Sequence, residues 1–200
     1  MIMPGVVSVY RRFIASTRGV AAIEFAMILP VMLIILLATF DAGNAIAVYM
    51  KVRSATYILA AITNQYSTTT PIQSTDMTAI TGATSAVLAP YSSSPVVVVI
   101  SEASISAAKQ TTATVVWSAT LNGTALGVGS SLPLPASLNT TNNNTCNAYP
   151  CYVIYGQVQY TFTPLFGYFA KGGITLSDSV FVTPRSSNCI PYVPQTGTTC

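Results

Sequence analysis

A carboxylate set inside an apolar run makes the sharpest chemical demand in this sequence. Glu24 lies within residues 20–40, VAAIEFAMILPVMLIILLATF, and no Lys, Arg or His occurs between positions 20 and 50. Burying an unpartnered carboxylate in hydrocarbon costs about 2.5–3.5 kcal/mol on insertion scales, so Glu24 calls for a cation or an escape route to the membrane edge. Cleavage after Gly19 would create a cation, because the new α-amino group on Val20 would have a pKa of about 7.7–8.0 and be mostly protonated at neutral pH. Val20 and Glu24 are four residues apart and share a helix face, so the pair could close within one chain or between neighbouring copies.

Little else in the chain is equipped for catalysis. Histidine is absent, and the acidic residues Glu24, Asp41, Asp76, Glu102 and Asp178 stand far apart, with no two in one short motif. Neither a nucleophile with its base nor a metal-ligand spacing is visible, so no enzymatic activity and no cofactor are expected. Eight basic residues against five acidic give a net charge of +3 without a basic run, which leaves no electrostatic footprint for nucleic acid.

The four cysteines, Cys146, Cys151, Cys189 and Cys200, all lie in the last third. Their gaps do not form the CxxC pairs of a zinc ribbon, and an exported domain would place them in an oxidising compartment. Disulfides are expected. Of three possible connectivities, the local one (Cys146 with Cys151, Cys189 with Cys200) is favoured because each pair brackets turn-rich sequence.

The element that must carry Glu24 is a helix. At 1.5 Å per residue the 21 residues from 20 to 40 span about 31 Å, the thickness of a bilayer's hydrocarbon core. Arg11, Arg12 and Arg18 precede the run and favour a cytoplasmic N-terminus, while Lys51 and Arg53 follow it and weaken the bias. A cleaved secretory signal, with residues 31–37 as its apolar heart and Ala45-Ile46-Ala47 as its cleavage site, fits poorly because its charged region would be some thirty residues long. Pro30 removes one backbone hydrogen bond and is expected to kink the helix. Beyond Gly43, Ala45, Val48, Val52, Ala55, Leu59 and Ile62 recur at spacings of three and four, an amphipathic continuation expected to lie under a globular domain.

Gly19, Val20, Glu24 and Phe25, within RGVAAIEFAMILPVMLIILLATFDAG, closely resemble the processing site and helix of TadE/TadG-like pseudopilins of the tight-adherence (Tad, Flp-type) branch of type IV pilus systems. The resemblance implies cleavage after Gly19 by a prepilin peptidase, and a role for Glu24 in pairing with the first residue's amine during assembly. Pro30 and the Asp41-Ala42-Gly43 step also match the family's habit. The segments VQYTFTPLFGYF and ITLSDSVFVTPR resemble the family's C-terminal part more weakly. Implied partners are the peptidase, other pilin or pseudopilin subunits, and the inner-membrane assembly platform.

The chain therefore divides into a basic leader (1–19), a transmembrane helix (20–43), an amphipathic continuation (44–66) and an exported α+β domain (67–200) built on a small antiparallel sheet. In that domain residues 75–89 are expected to form a second helix, capped by Ser74 or Thr75 and stopped by Pro90. Residues 95–101 and 112–119 read as strands, the second with Ala113, Val115, Trp117 and Ala119 on its apolar face. Asn122-Gly123 is expected to turn a hairpin into residues 124–128. Residues 139–145 form a polar loop. Residues 152–163 and 174–183 are expected to pair as antiparallel strands.

The expected function is that of a minor pseudopilin of a Tad-type pilus, held in the bacterial inner membrane by one span, with its C-terminal domain periplasmic. The alternative is a membrane-anchored adhesin or binding domain that needs no processing.

Overall fold

The computed structural model describes residues 18–91, 96–138, 146, 148–166 and 172–195. The leader up to residue 17, the polar loop 139–145 and Cys200 lie outside them. The fold is α+β: one long helix, α1 (Arg18–Thr63), a short helix, α2 (Ser74–Val87), and a curled five-stranded antiparallel sheet.

Two halves of α1 have different surroundings because their sequences differ in period. Residues 20–36 are apolar on every face apart from Glu24, and all are exposed. From residue 45 the apolar residues return every three or four positions, and Val48, Val52, Ala55 and Leu59 are fully buried against β4 (Cys151–Phe162) and β5 (Ile174–Val182). Burying a Val or Leu side chain contributes roughly 1.5–3 kcal/mol, so this seam holds helix to sheet. Thr56 and Thr63 share that buried face, and their hydroxyls donate back to the carbonyls of Val52 and Leu59 at 2.9 and 2.8 Å. The helix ends at Thr63, three residues short of the expected 66, where Gln65 and Tyr66 donate N–H bonds to Ile62 and Thr63 and tighten the exit.

The cap of α2 differs from the sequence expectation. Gln73 is the N-cap, and the carboxylate of Asp76 accepts its backbone N–H at 2.9 Å, so the reciprocal acid of a capping box fixes the start. Met77, Ile80, Thr81 and Thr84, spaced at one helical face, are buried against α1 and the sheet.

The sheet order is β3-β2-β1-β4-β5, with β1 (Val96–Ser106), β2 (Lys109–Leu121) and β3 (Ser131–Pro133) completing it. Central β1 pairs with β2 on one side and β4 on the other, Val98 lying opposite both Leu121 and Val158. Its expected extent stopped at residue 101 because Glu102 and Ser104 interrupt the apolar run; the strand continues, with both residues inside the ladder. Gly156 of β4 faces α1, where a Cβ would lie 3.3 Å from Cδ2 of Leu59.

The hairpin expected at Asn122-Gly123 does not form. Asn122 takes the left-handed conformation that this dipeptide favours, with φ of 56°. Gly123 is then pressed against β1, where a Cβ would fall 2.5 Å from Cγ1 of Val97. The following residues are held by a side chain instead of a strand partner, Leu126 N–H donating to the Ser118 hydroxyl at 3.0 Å. Regular pairing with β2 resumes only at β3.

Candidate membrane-anchor and assembly site

Residues 19–63 contain a window of mean hydropathy 2.7 with no part buried, long and apolar enough to cross a membrane. At 1.5 Å per residue the 46-residue helix is about 69 Å long, so nearly half of it projects beyond the sheet. Thr39, a polar side chain in the apolar run, satisfies itself by donating to the Ile35 carbonyl at 2.8 Å. Pro30 lies inside the helix, which continues through it.

Gly19, Val20, Glu24 and Phe25 occupy the first turns of α1, all exposed. Val20 and Glu24 are one turn apart on one face, and no ion pair joins Glu24 to another described residue. In the uncleaved chain the nitrogen of Val20 is an amide and carries no charge.

The exposed apolar half of α1 meets the domain at Asp41. Its carboxylate accepts the N–H groups of Leu165 and Phe166 at 3.1 and 3.3 Å, across more than 120 positions of sequence. Phe40 and Phe166 pack edge to face with ring centroids 6.0 Å apart. Sequence reading saw Asp41 only as part of a helix-end step; nothing local marks its partners.

Two cations follow the apolar run. Lys51 donates to the Ala89 carbonyl and lies 5.6 Å from the centre of the Tyr91 ring. Arg53 lies 5.9 Å from the Tyr57 ring and within the field of Asp178 on β5.

A second polar site, which the sequence did not disclose, sits in the core. Glu102 on β1 is 1% exposed. Its carboxylate accepts Trp117 Nε1–H at 3.0 Å and Ile190 N–H at 2.7 Å, while the same indole N–H also reaches the Ile190 carbonyl at 2.7 Å. Burial raises the Glu102 pKa to about 7, against the opposing pull of those two donors. The site latches the C-terminal segment. Tyr192 lies beside Trp117 with centroids 5.4 Å apart, and Pro191 and Val193 bracket Ile72 through backbone bonds of 2.9 and 3.0 Å.

Cys146 and Cys151 form a disulfide, the local pairing expected. Cys189 is buried and also disulfide-bonded; the expected partner, Cys200, lies outside the described residues.

No curated protein and no solved structure matches the chain significantly. A family model does: that of the TadE-like proteins, over residues 19–60. The match begins at Gly19, runs through Glu24, Pro30 and Asp41, and ends at residue 60, so α1 of this chain is similar to the TadE-like proteins over most of its length.

Proposed function

We propose that this chain is a minor pseudopilin of a Tad-type (Flp, type IV) pilus, cut by a prepilin peptidase after Gly19. The observation that carries the proposal is the exposed, unpaired Glu24 one helical turn from Val20, in a helix that matches the TadE-like family from Gly19 onward. Cleavage supplies the missing cation, and the charged pair then forms either within the chain or with a neighbouring subunit in the inner membrane. The protein acts as a structural partner, without catalysis or cofactor, toward other pilin or pseudopilin subunits and the assembly platform.

The orientation has the leader in the cytoplasm and the sheet domain in the periplasm. Three cations, Arg11, Arg12 and Arg18, precede the apolar run against two, Lys51 and Arg53, after it, a moderate bias toward a cytoplasmic leader. A disulfide at Cys146–Cys151 suits an oxidising compartment.

Mass spectrometry of the purified protein's N-terminus tests the proposal. A start at Val20 is expected. An intact Met1 refutes processing and favours a plain membrane-anchored adhesin, while a start at Asn44 or Val48 indicates a cleaved secretory signal. Glu24→Gln is expected to insert normally and to fail in pilus formation; normal piliation of that variant would refute the counter-ion role.

A further inference from the structure

We infer that the β4–β5 end of the sheet is a second membrane contact, with Leu165, Phe166 and Ile174 entering the lipid leaflet beside Phe40 and lipid acyl chains filling the groove behind them. The inference rests on residues 20–40 spanning the bilayer, and extends that reading to a part of the chain more than 120 residues away.

Height is fixed first. Phe40 is the last residue of the apolar run and Asp41 the next, so these two mark the edge of the hydrocarbon. Asp41 holds the backbone of Leu165 and Phe166, and the Phe40 and Phe166 rings are in contact. The strand end is thus held at the level where the apolar run stops.

Exposure follows. Leu165 is 76% exposed, Phe40 54%, Phe166 43% and Ile174 42%. Together they form an apolar shelf continuous with the bare surface of residues 20–36, and the continuity singles out lipid as the occupant. Two polar groups that would resist this depth are already satisfied, because the N–H groups of Leu165 and Phe166 end on the Asp41 carboxylate.

The groove is the third observation. Ala38, Ala42 and Ala45 on α1 face Phe162, Pro164 and Ile174 across a space of about 180 Å³ whose walls are mostly apolar, Asp41 being the one charged residue among them. The groove opens to its surroundings, and at this height the apolar molecules available to enter it are lipid chains. The three alanines leave the room; larger side chains there would close it.

The test uses the full chain in lipid nanodiscs made with ordinary or brominated phosphatidylcholine, bromine quenching tryptophan by contact. Leu165→Trp is compared with Leu33→Trp in the span and with Ala108→Trp at the β1–β2 turn. The latter lies at the far end of β1, about 34 Å away along the strand at 3.4 Å per residue. Native Trp117, fully buried, supplies a constant background. Leu165→Trp is expected to lose emission in brominated discs to an extent comparable with Leu33→Trp, with Ala108→Trp unchanged. Quenching at 33 without quenching at 165 overturns the inference and leaves the span intact. Blue-shifted but unquenched emission at 165 also overturns it, showing that protein covers the shelf. Absence of quenching at both positions removes the span, and the inference with it.

Discussion

Raising the pH from 5 to 8 is expected to weaken the folded domain through Glu102. Burial lifts this carboxyl to about 7 from an ordinary value of 4.5, so folding takes up a proton. The stabilisation it contributes is therefore fully present below about pH 4.5 and is lost as pH rises through about 7. At 1.36 kcal/mol per pKa unit the whole effect is about 3 kcal/mol, most of which falls between pH 5 and pH 8. The chain contains no histidine, so the side chain that would ordinarily dominate this window is missing. Burial of Tyr155 and Tyr160 raises their pKa values further above it. Trp117 is the sole tryptophan, is fully buried, and donates to Glu102, so its emission reports unfolding from the site itself. Denaturant titrations of the full chain in detergent, followed by that emission, should show the stability falling with pH in the wild type. Glu102→Gln should show no such slope, whatever its absolute stability, because an amide does not ionise. A flat wild-type profile, or a slope that survives in the variant, would refute the assignment.

Two further outcomes concern the helix seam and the disulfide. Leu59→Ala removes a fully buried side chain that fills the space left by Gly156, and should destabilise the domain by about 2–5 kcal/mol in the same titration; a loss under about 1 kcal/mol would mean that the sheet does not depend on this seam. Replacing Cys146 and Cys151 together by Ala opens a six-residue loop, for which chain entropy predicts a loss of about 2 kcal/mol, read as a lower Tm than the oxidised wild type.

Periodic features of this fold were legible in the sequence, and contacts between distant segments were not. The seam from Ala45 to Ile62 follows from the 3.6-residue repeat, and β4 from strict alternation over Ile154, Gly156, Val158, Tyr160 and Phe162, because periodicity is a local signal of burial. The hairpin expected at Asn122-Gly123 does not form although Asn122 takes the left-handed conformation, because a hairpin depends on what the next residues pair with, here the Ser118 hydroxyl. Glu102 read as one isolated acid because its donors are 15 and 88 positions away. Asp41 was hidden in the same way, its partners 124 and 125 positions away.

Partnering of the acids bears directly on the assembly reading. A chain with so few charges leaves each carboxylate to find its own partner; three of the five take donors within the fold and a fourth lies near a cation. Asp41 takes the N–H groups of Leu165 and Phe166, Asp76 that of Gln73, and Glu102 those of Trp117 and Ile190. Asp178 lies close enough to Arg53 to strengthen that residue's charge. Only Glu24, among the described residues, faces outward with no donor or cation, and it occupies the part of the chain where lacking one is most expensive. Residues 20–50 contain no Lys or Arg, and the nearest cation in sequence, Arg18, precedes the apolar run. A carboxylate unpartnered in the single uncleaved chain is what a contact completed by processing or by a second subunit requires, and it separates Glu24 from every other acid in the protein.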